Sequence, residues 1–182
     1  LYSALAFASF IAMVWFYRLA PYVEVWSPPR VTRWVPVVTM PVAMLFLVAG
    51  FSTPSPTMVA QGAMVTKEDD GGGRPKGILA VTRHPALWGF ALWAVSHLAT
   101  NGELHVVLVA LSIATLAFGG MLHIDARRAA ALGDAWGRYT AKTSVLPFAA
   151  MVSGRAKLRF GEIGIVRVLI AGFLYYAILH AH

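Results

Sequence analysis

No cysteine occurs among the 182 residues, which excludes disulfides, thiolate metal sites and a thiolate nucleophile together. Charge is scarce as well. Asp, Glu, Lys and Arg make up 13% of the chain, against roughly 25% in soluble domains. Acids are the rarer half, eight against fifteen Lys and Arg. Walker, GxGxxG, HExxH and GxSxG patterns are missing too. What is present is apolar: 58% of the residues are hydrophobic, above the roughly 45–50% of soluble domains. That balance excludes an ordinary water-soluble domain. A net charge of +7 would suit nucleic acid, but the cations sit between hydrophobic runs. There they set membrane orientation and meet anionic headgroups, so the expected partner is the lipid bilayer and not nucleic acid.

Five apolar runs can be read, over 1–16, 34–51, 86–99, 104–122 and 163–182. Each approaches the roughly 20 residues that cross a bilayer. The expected fold is an all-α, polytopic transmembrane bundle of about five membrane helices, one domain over 1–182. Pro36 and Pro41 are tolerable inside it, because neighbouring helices satisfy the carbonyls they free. Leu1 opens the chain within an apolar run where Met would be usual, so a preceding helix is expected. The segments 52–84 and 123–162 hold most of the Lys and Arg, which assigns them to the cytoplasmic side. Within them, 66–76 (TKEDDGGGRPK) reads as a mobile linker. Residues 126–139 alternate Arg127, Arg128 and Arg138 with Leu132, Trp136 and Tyr139, the pattern of a short interfacial helix. Trp15, Trp26, Trp34 and Trp88 fall near the expected interfaces, as belt residues do.

Histidine carries the chemical signal. An ionisable side chain at membrane depth is costly and is a functional candidate by default. His97 lies near the outer end of the third run, with Trp93 and Ala94 one turn below and Phe90 two turns below. A neutral imidazole on an apolar, aromatic face beside small residues is what an axial haem ligand looks like. A structural histidine bonded to a neighbouring carbonyl is the commoner occupant of such a position. His105, His180 and His182 share that outer side; His105 and His180 are second-ligand candidates, although turn and terminal histidines are more often solvated. His84 lies thirteen residues before His97, roughly 20 Å away along a helix, so one metal ion cannot bind both. Arg83-His84-Pro85 instead marks the cytoplasmic mouth of the third helix, whose first-turn amides favour an anion. A helix cap with a snorkelling Arg83 explains the same residues equally well. His123, Asp125 and Arg127 stand at the same depth. With Arg83 and His84 they form either a phosphate or carboxylate site or, more commonly, an interfacial ion-pair network.

The segment 77–103, GILAVTRHPALWGFALWAVSHLATNGE, resembles NnrU-type proteins. These are bacterial membrane proteins associated with denitrification that share a domain with plant 15-cis-zeta-carotene isomerases. The stretch 124–155, the Gly161-Glu162-Ile163-Gly164 run and the opening LYSALAFASF are similar to that family as well, so the resemblance covers the whole chain. It implies a b-type haem with His97, in the W-x-x-x-H element beginning at Trp93, as one axial ligand. The family's other histidine falls in a helix preceding Leu1. A cysteine three residues before the ligand is a proposed alternative in the isomerases; this chain has Ala94 there, so that ligand does not carry over. The chemistry implied is redox-gated cis–trans isomerisation of a polyene bound beside the haem.

A weaker resemblance is to isoprenylcysteine carboxyl methyltransferases, which bind S-adenosylmethionine at the cytoplasmic face. It rests on Arg83-His84-Pro85 and on Asp125, Arg127 and Tyr139. The usual Glu and Arg of the downstream block are replaced here by Asp125 and Arg127. Three readings follow. The chain is a haem-binding NnrU protein with a nitric-oxide-related or isomerase role on a hydrophobic small molecule; or a membrane methyltransferase; or a non-catalytic assembly accessory.

Overall fold

A computed structural model describes residues 2–58, 61, 64 and 74–181. Among these, every regular element is helical: α1 Tyr2–Leu19, α2 Trp34–Ser52, α3 Ile78–Val81, α4 Pro85–Thr100, α5 Leu104–Leu132, α6 Asp134–Lys142, α7 Ala149–Val152 and α8 Ile165–Ala181. The five expected apolar runs are α1, α2, α4, α5 and α8. The segment expected to be a mobile linker lies, apart from 74–76, outside the described residues.

Two stretches are long and apolar enough to cross a membrane by length and composition, Arg30–Ser52 and Leu104–Leu132, with mean hydropathies of 2.0 and 2.1. The other three long helices have 18, 16 and 17 residues. At 1.5 Å per residue they reach roughly 24–27 Å, short of the roughly 30 Å hydrocarbon core. Membrane length is therefore established for two helices, where five were expected.

The largest departure is at α5. It runs on to Leu132 where the apolar run stops at residue 122, because 126–132 is rich in alanine, the best helix former. The expected interfacial helix over 126–139 is thus two pieces. Its first half extends α5; its second is α6, which follows a break at Gly133 and buries Trp136 and Tyr139.

α4 is the central helix, packed between α2 and α5, while α8 packs on α2. Its sequence explains both ends. Pro85 takes the first helical position, where its fixed φ is pre-organised and its missing N–H is not needed. The helix stops before the Asn101-Gly102 turn. α2 and α4 approach closely because Gly50 has no side chain: a Cβ there would stand 2.4 Å from the Ala86 backbone nitrogen, the use membrane bundles make of small residues. Higher up, the Thr39 hydroxyl donates to the Val35 carbonyl at 2.8 Å and meets the buried Ser96 hydroxyl of α4 at 2.9 Å. Outward faces are strongly apolar, with Phe7, Leu116, Leu122, Ile165 and Phe173 all exposed, the kind of surface that marks contact with a partner or a membrane.

Two ties close the ends. At one end the strap 20–29 is clipped to the α4–α5 turn, the Val25 N–H donating to the Gly102 carbonyl at 2.7 Å and the Leu104 N–H to the Val23 carbonyl at 2.8 Å. Gly102 is required there: a Cβ would lie 1.6 Å from the Trp26 carbonyl oxygen. Gly102→Ala should therefore open the clip and destabilise the protein by about 1–3 kcal/mol, read as a lower melting temperature in detergent. At the other end Glu162 accepts the Gly77 N–H at 3.0 Å and pairs with Arg74. The Gly77 hydrogen bond, seconded by Arg74, holds the Glu162 carboxyl below its ordinary value of 4.5. A lowered folded-state value means that the stabilisation is complete above 4.5 and is lost as pH falls through the lowered value. Hydrogen-exchange protection of the Gly77 amide, corrected for intrinsic rates, should therefore fall on the acid side. In Glu162→Gln that pH dependence should vanish.

Candidate functional site

His97 sits in the last turn of α4 and is half-buried. Its Nδ1 lies 2.8 Å from the Trp93 carbonyl oxygen one turn earlier. A carbonyl can only accept, so the proton is on Nδ1 and the Nε2 lone pair is left free. The imidazole also stacks on the Trp93 indole, centroids 4.0 Å apart and planes 26° from parallel. Orientation of one ring nitrogen by a carbonyl is how proteins fix histidines that ligate through the other.

The same local arrangement occurs once more. His180 bonds through Nδ1 to the Tyr176 carbonyl at 2.9 Å and packs on the Tyr176 ring at 3.9 Å. It is exposed on α8. An aromatic residue four positions before a histidine thus produces the geometry by itself, and what sets His97 apart is its surroundings. Trp93, His97 and Asn101 lie between two cavities. One, of about 360 Å³, is walled by Met13, Val14 and Tyr17 of α1 and Val106 and Val109 of α5. The other, of about 490 Å³, is walled by Val37, Met40 and Met44 of α2 and Tyr175, Ile178 and Leu179 of α8. Both sizes fall in the range of small-molecule sites.

Phe90 and Ala94 line neither cavity. Phe90 shares His97's face but, seven residues back, sits roughly 10 Å lower along the axis, where it meets Phe51 edge-on at 6.1 Å. Ala94 is fully buried. His105 is also outside both cavities. Its Nε2 is 3.4 Å from Glu103, its ring meets Tyr17 edge-on at 4.8 Å, and its Nδ1 is buried with no partner among the described residues. His182 lies outside the described residues.

At the opposite end of α4, three of the five clustered residues come together. The Arg83 Nε donates to Asp125 at 2.9 Å and its Nη2 pairs with the same carboxylate. His84, only 2% exposed, places Nε2 2.8 Å from the other carboxylate oxygen. The three satisfy one another, which is an ion-pair network. His123 and Arg127 stand apart from it, exposed on α5. Helical geometry explains the separation: each is two residues, about 200°, around the helix from Asp125. Tyr139 is buried close to Ser55 and within the field of Arg83 and Asp125. Its hydroxyl has no hydrogen-bond partner among the described residues. Burial pushes it up to about 12, so it stays a neutral phenol.

With this geometry in place, relatives can be compared. The family model described as NnrU protein matches residues 1–182. The chain belongs to the NnrU family. This NnrU chain is 33% identical over 82 residues to the chloroplastic 15-cis-zeta-carotene isomerase of Zea mays. Over 82 residues it is 32% identical to the isomerase of the same name from Arabidopsis thaliana. The match covers 45% of the NnrU chain and 22% of each relative, so it spans less than a quarter of the plant proteins. No solved structure matches.

Some of the NnrU site was not written as a motif. The contribution of α8 to the second cavity, the strap over the α4–α5 turn and the unpartnered Tyr139 hydroxyl carry no local signature. Ile124, Arg127, Arg128 and Ala131, which line a third cavity, do follow an i, i+3, i+4, i+7 spacing that marks one helix face.

Proposed function

We propose that this chain is a membrane-embedded isomerase acting on a long, conjugated hydrocarbon, with a b-type haem held through His97 Nε2. The observation that carries the reading is an imidazole with its Nδ1 proton tied to the Trp93 carbonyl and its ring between two largely apolar cavities. The donor set fits a haem: a neutral nitrogen, an aromatic neighbour and apolar walls. When bound, a b-type haem supplies a redox-switchable iron beside the double bond. The chain's own residues do the rest. Trp93 fixes the tautomer and angle of His97. Met40, Met44 and Tyr175, packed with Trp93 and Ala171, offer an apolar wall along which a polyene can lie. Asn101 is the one amide lining both cavities, a polar end-stop for such a guest. Isomerisation is favoured over a role in denitrification because the relatives with printed activities are isomerases.

All five long helices cross the bilayer in this reading, the three shorter ones through local thinning or interfacial anchoring. The basic segments 52–84 and 123–162 then face the cytoplasm of a bacterial inner membrane. The test is the absorption spectrum of the full natural protein in detergent, followed by turnover of a cis-polyene. A protein that is colourless after expression with ample haem would overturn the haem assignment.

A further inference from the structure

The third cavity lies at the opposite end of the bundle from His97. It has a volume of about 500 Å³ between the 57–58 segment and the last turns of α5, walled by Thr57, Met58, Ile124, Arg127 and Arg128. A smaller cavity of about 220 Å³ adjoins it, because Thr57, Met58 and Ile124 line both. The walls of the smaller one are Phe51, Pro85, Leu87 and Phe90, with His84 at its edge. A cationic cavity and an apolar one therefore stand side by side, with Thr57, Met58 and Ile124 as their common wall.

The two arginines differ in their commitments. Arg128 donates through Nη2 to the Met58 carbonyl at 2.8 Å, which fixes it as part of the wall and leaves its other N–H groups without a partner among the described residues. Arg127 is exposed and has no hydrogen bond or ion pair with any described residue. Asp125, the nearest acid in the sequence, is already occupied by Arg83 and His84. Two guanidinium groups on adjacent positions, neither neutralised by Asp125, present the planar donor forks that suit phosphate oxygens. A purely inorganic anion would leave the neighbouring apolar cavity unused. A neutral hydrocarbon would leave both cations unpaired.

We infer that these adjoining cavities serve together as a second binding site, for a phosphate-headed amphiphile whose head pairs with Arg127 and Arg128 and whose chain passes over the common wall to lie along Leu87, Phe90 and Phe51. Its head group sits where α5 emerges from its apolar stretch, the depth at which a phospholipid carries its phosphate. The site is independent of His97 and of the function proposed for it. Spectral loss in His97→Ala leaves this inference standing.

Native mass spectrometry of the full protein, exchanged from detergent doped with phosphatidylglycerol or phosphatidylcholine, tests it. Phosphatidylglycerol should be retained in preference to phosphatidylcholine. Arg127→Gln should lower that retention about fivefold, the effect of one cation near an anionic lipid headgroup. The melting temperature of the lipid-free variant should not move, since Arg127 holds nothing in the fold. Phe90→Ala should reduce phosphatidylglycerol retention while leaving competition by inorganic phosphate unchanged, which separates chain binding from head binding. Equal retention of the two lipids would overturn the inference. So would an unchanged Arg127→Gln variant, or inorganic phosphate displacing the lipid at equal concentration.

Discussion

Replacing His97 by alanine should abolish the Soret band of the detergent-purified protein, while His180→Ala should leave it intact. The contrast is informative because both imidazoles have the same local tether, to the carbonyl of an aromatic residue one turn back. If that tether alone made a ligand, the two variants would behave alike. If the cavities decide, only His97 matters. Loss of an outer-shell partner typically lowers metal affinity about 10–100-fold, and loss of the ligand itself should exceed that. Trp93→Ala is the intermediate case. It keeps the carbonyl that accepts from Nδ1 but removes the stacked indole, so the band should weaken or shift without vanishing. A band that persists unchanged in His97→Ala would place any haem elsewhere.

The second large effect concerns Asp125. Its side chain and those of Arg83 and His84 are all mostly shielded, at 19%, 11% and 1% exposure. Asp125→Ala leaves a guanidinium without its counter-charge in that setting, and breaking such a pair from one side costs about 3–5 kcal/mol. A melting temperature far below wild type, or failure to fold in detergent, is expected. The double variant Arg83→Met/Asp125→Ala removes both charges and should recover much of the loss, giving, with the Arg83→Met single variant, a coupling energy well above the few tenths of a kcal/mol seen for independent sites. Additive effects would show instead that the network contributes little. A role as a substrate-binding cluster makes a different prediction, loss of ligand affinity at unchanged stability.

Much of this was legible in the sequence, for definable reasons. Long apolar runs broken by charge and proline announce helices, so α2 and α4 fall within a residue or two of the expected bounds. Level along the bundle is legible too: counting residues from the apolar runs puts Arg83, His84 and Asp125 at one end, where the structure pairs them. Azimuth could not be judged by depth alone, which is why His123 and Arg127 were grouped with Asp125 although helical rotation turns them elsewhere. The end of α5 is not legible because the apolar run stops at residue 122, and a helix need not stop where its apolar stretch does. The cavities beside His97 depend on which helices become neighbours. Nothing in the spacing of α8 reveals that Tyr175 will face the same space as Trp93, four helices away in the chain.

The strap over the α4–α5 turn has a bearing on how anything reaches His97. Asn101, next to the clipped turn, lines both cavities, so the strap and the turn it holds border their outer end. Met13 and Val14 on one side, and Val37, Ile178 and Leu179 on the other, are wall residues that are also exposed on the flank of the bundle. A guest of the proposed kind would thus have a sideways path, through windows between helices. In a bundle immersed in lipid, occupancy would follow how readily the guest dissolves in the acyl phase, and its solubility in water would scarcely matter.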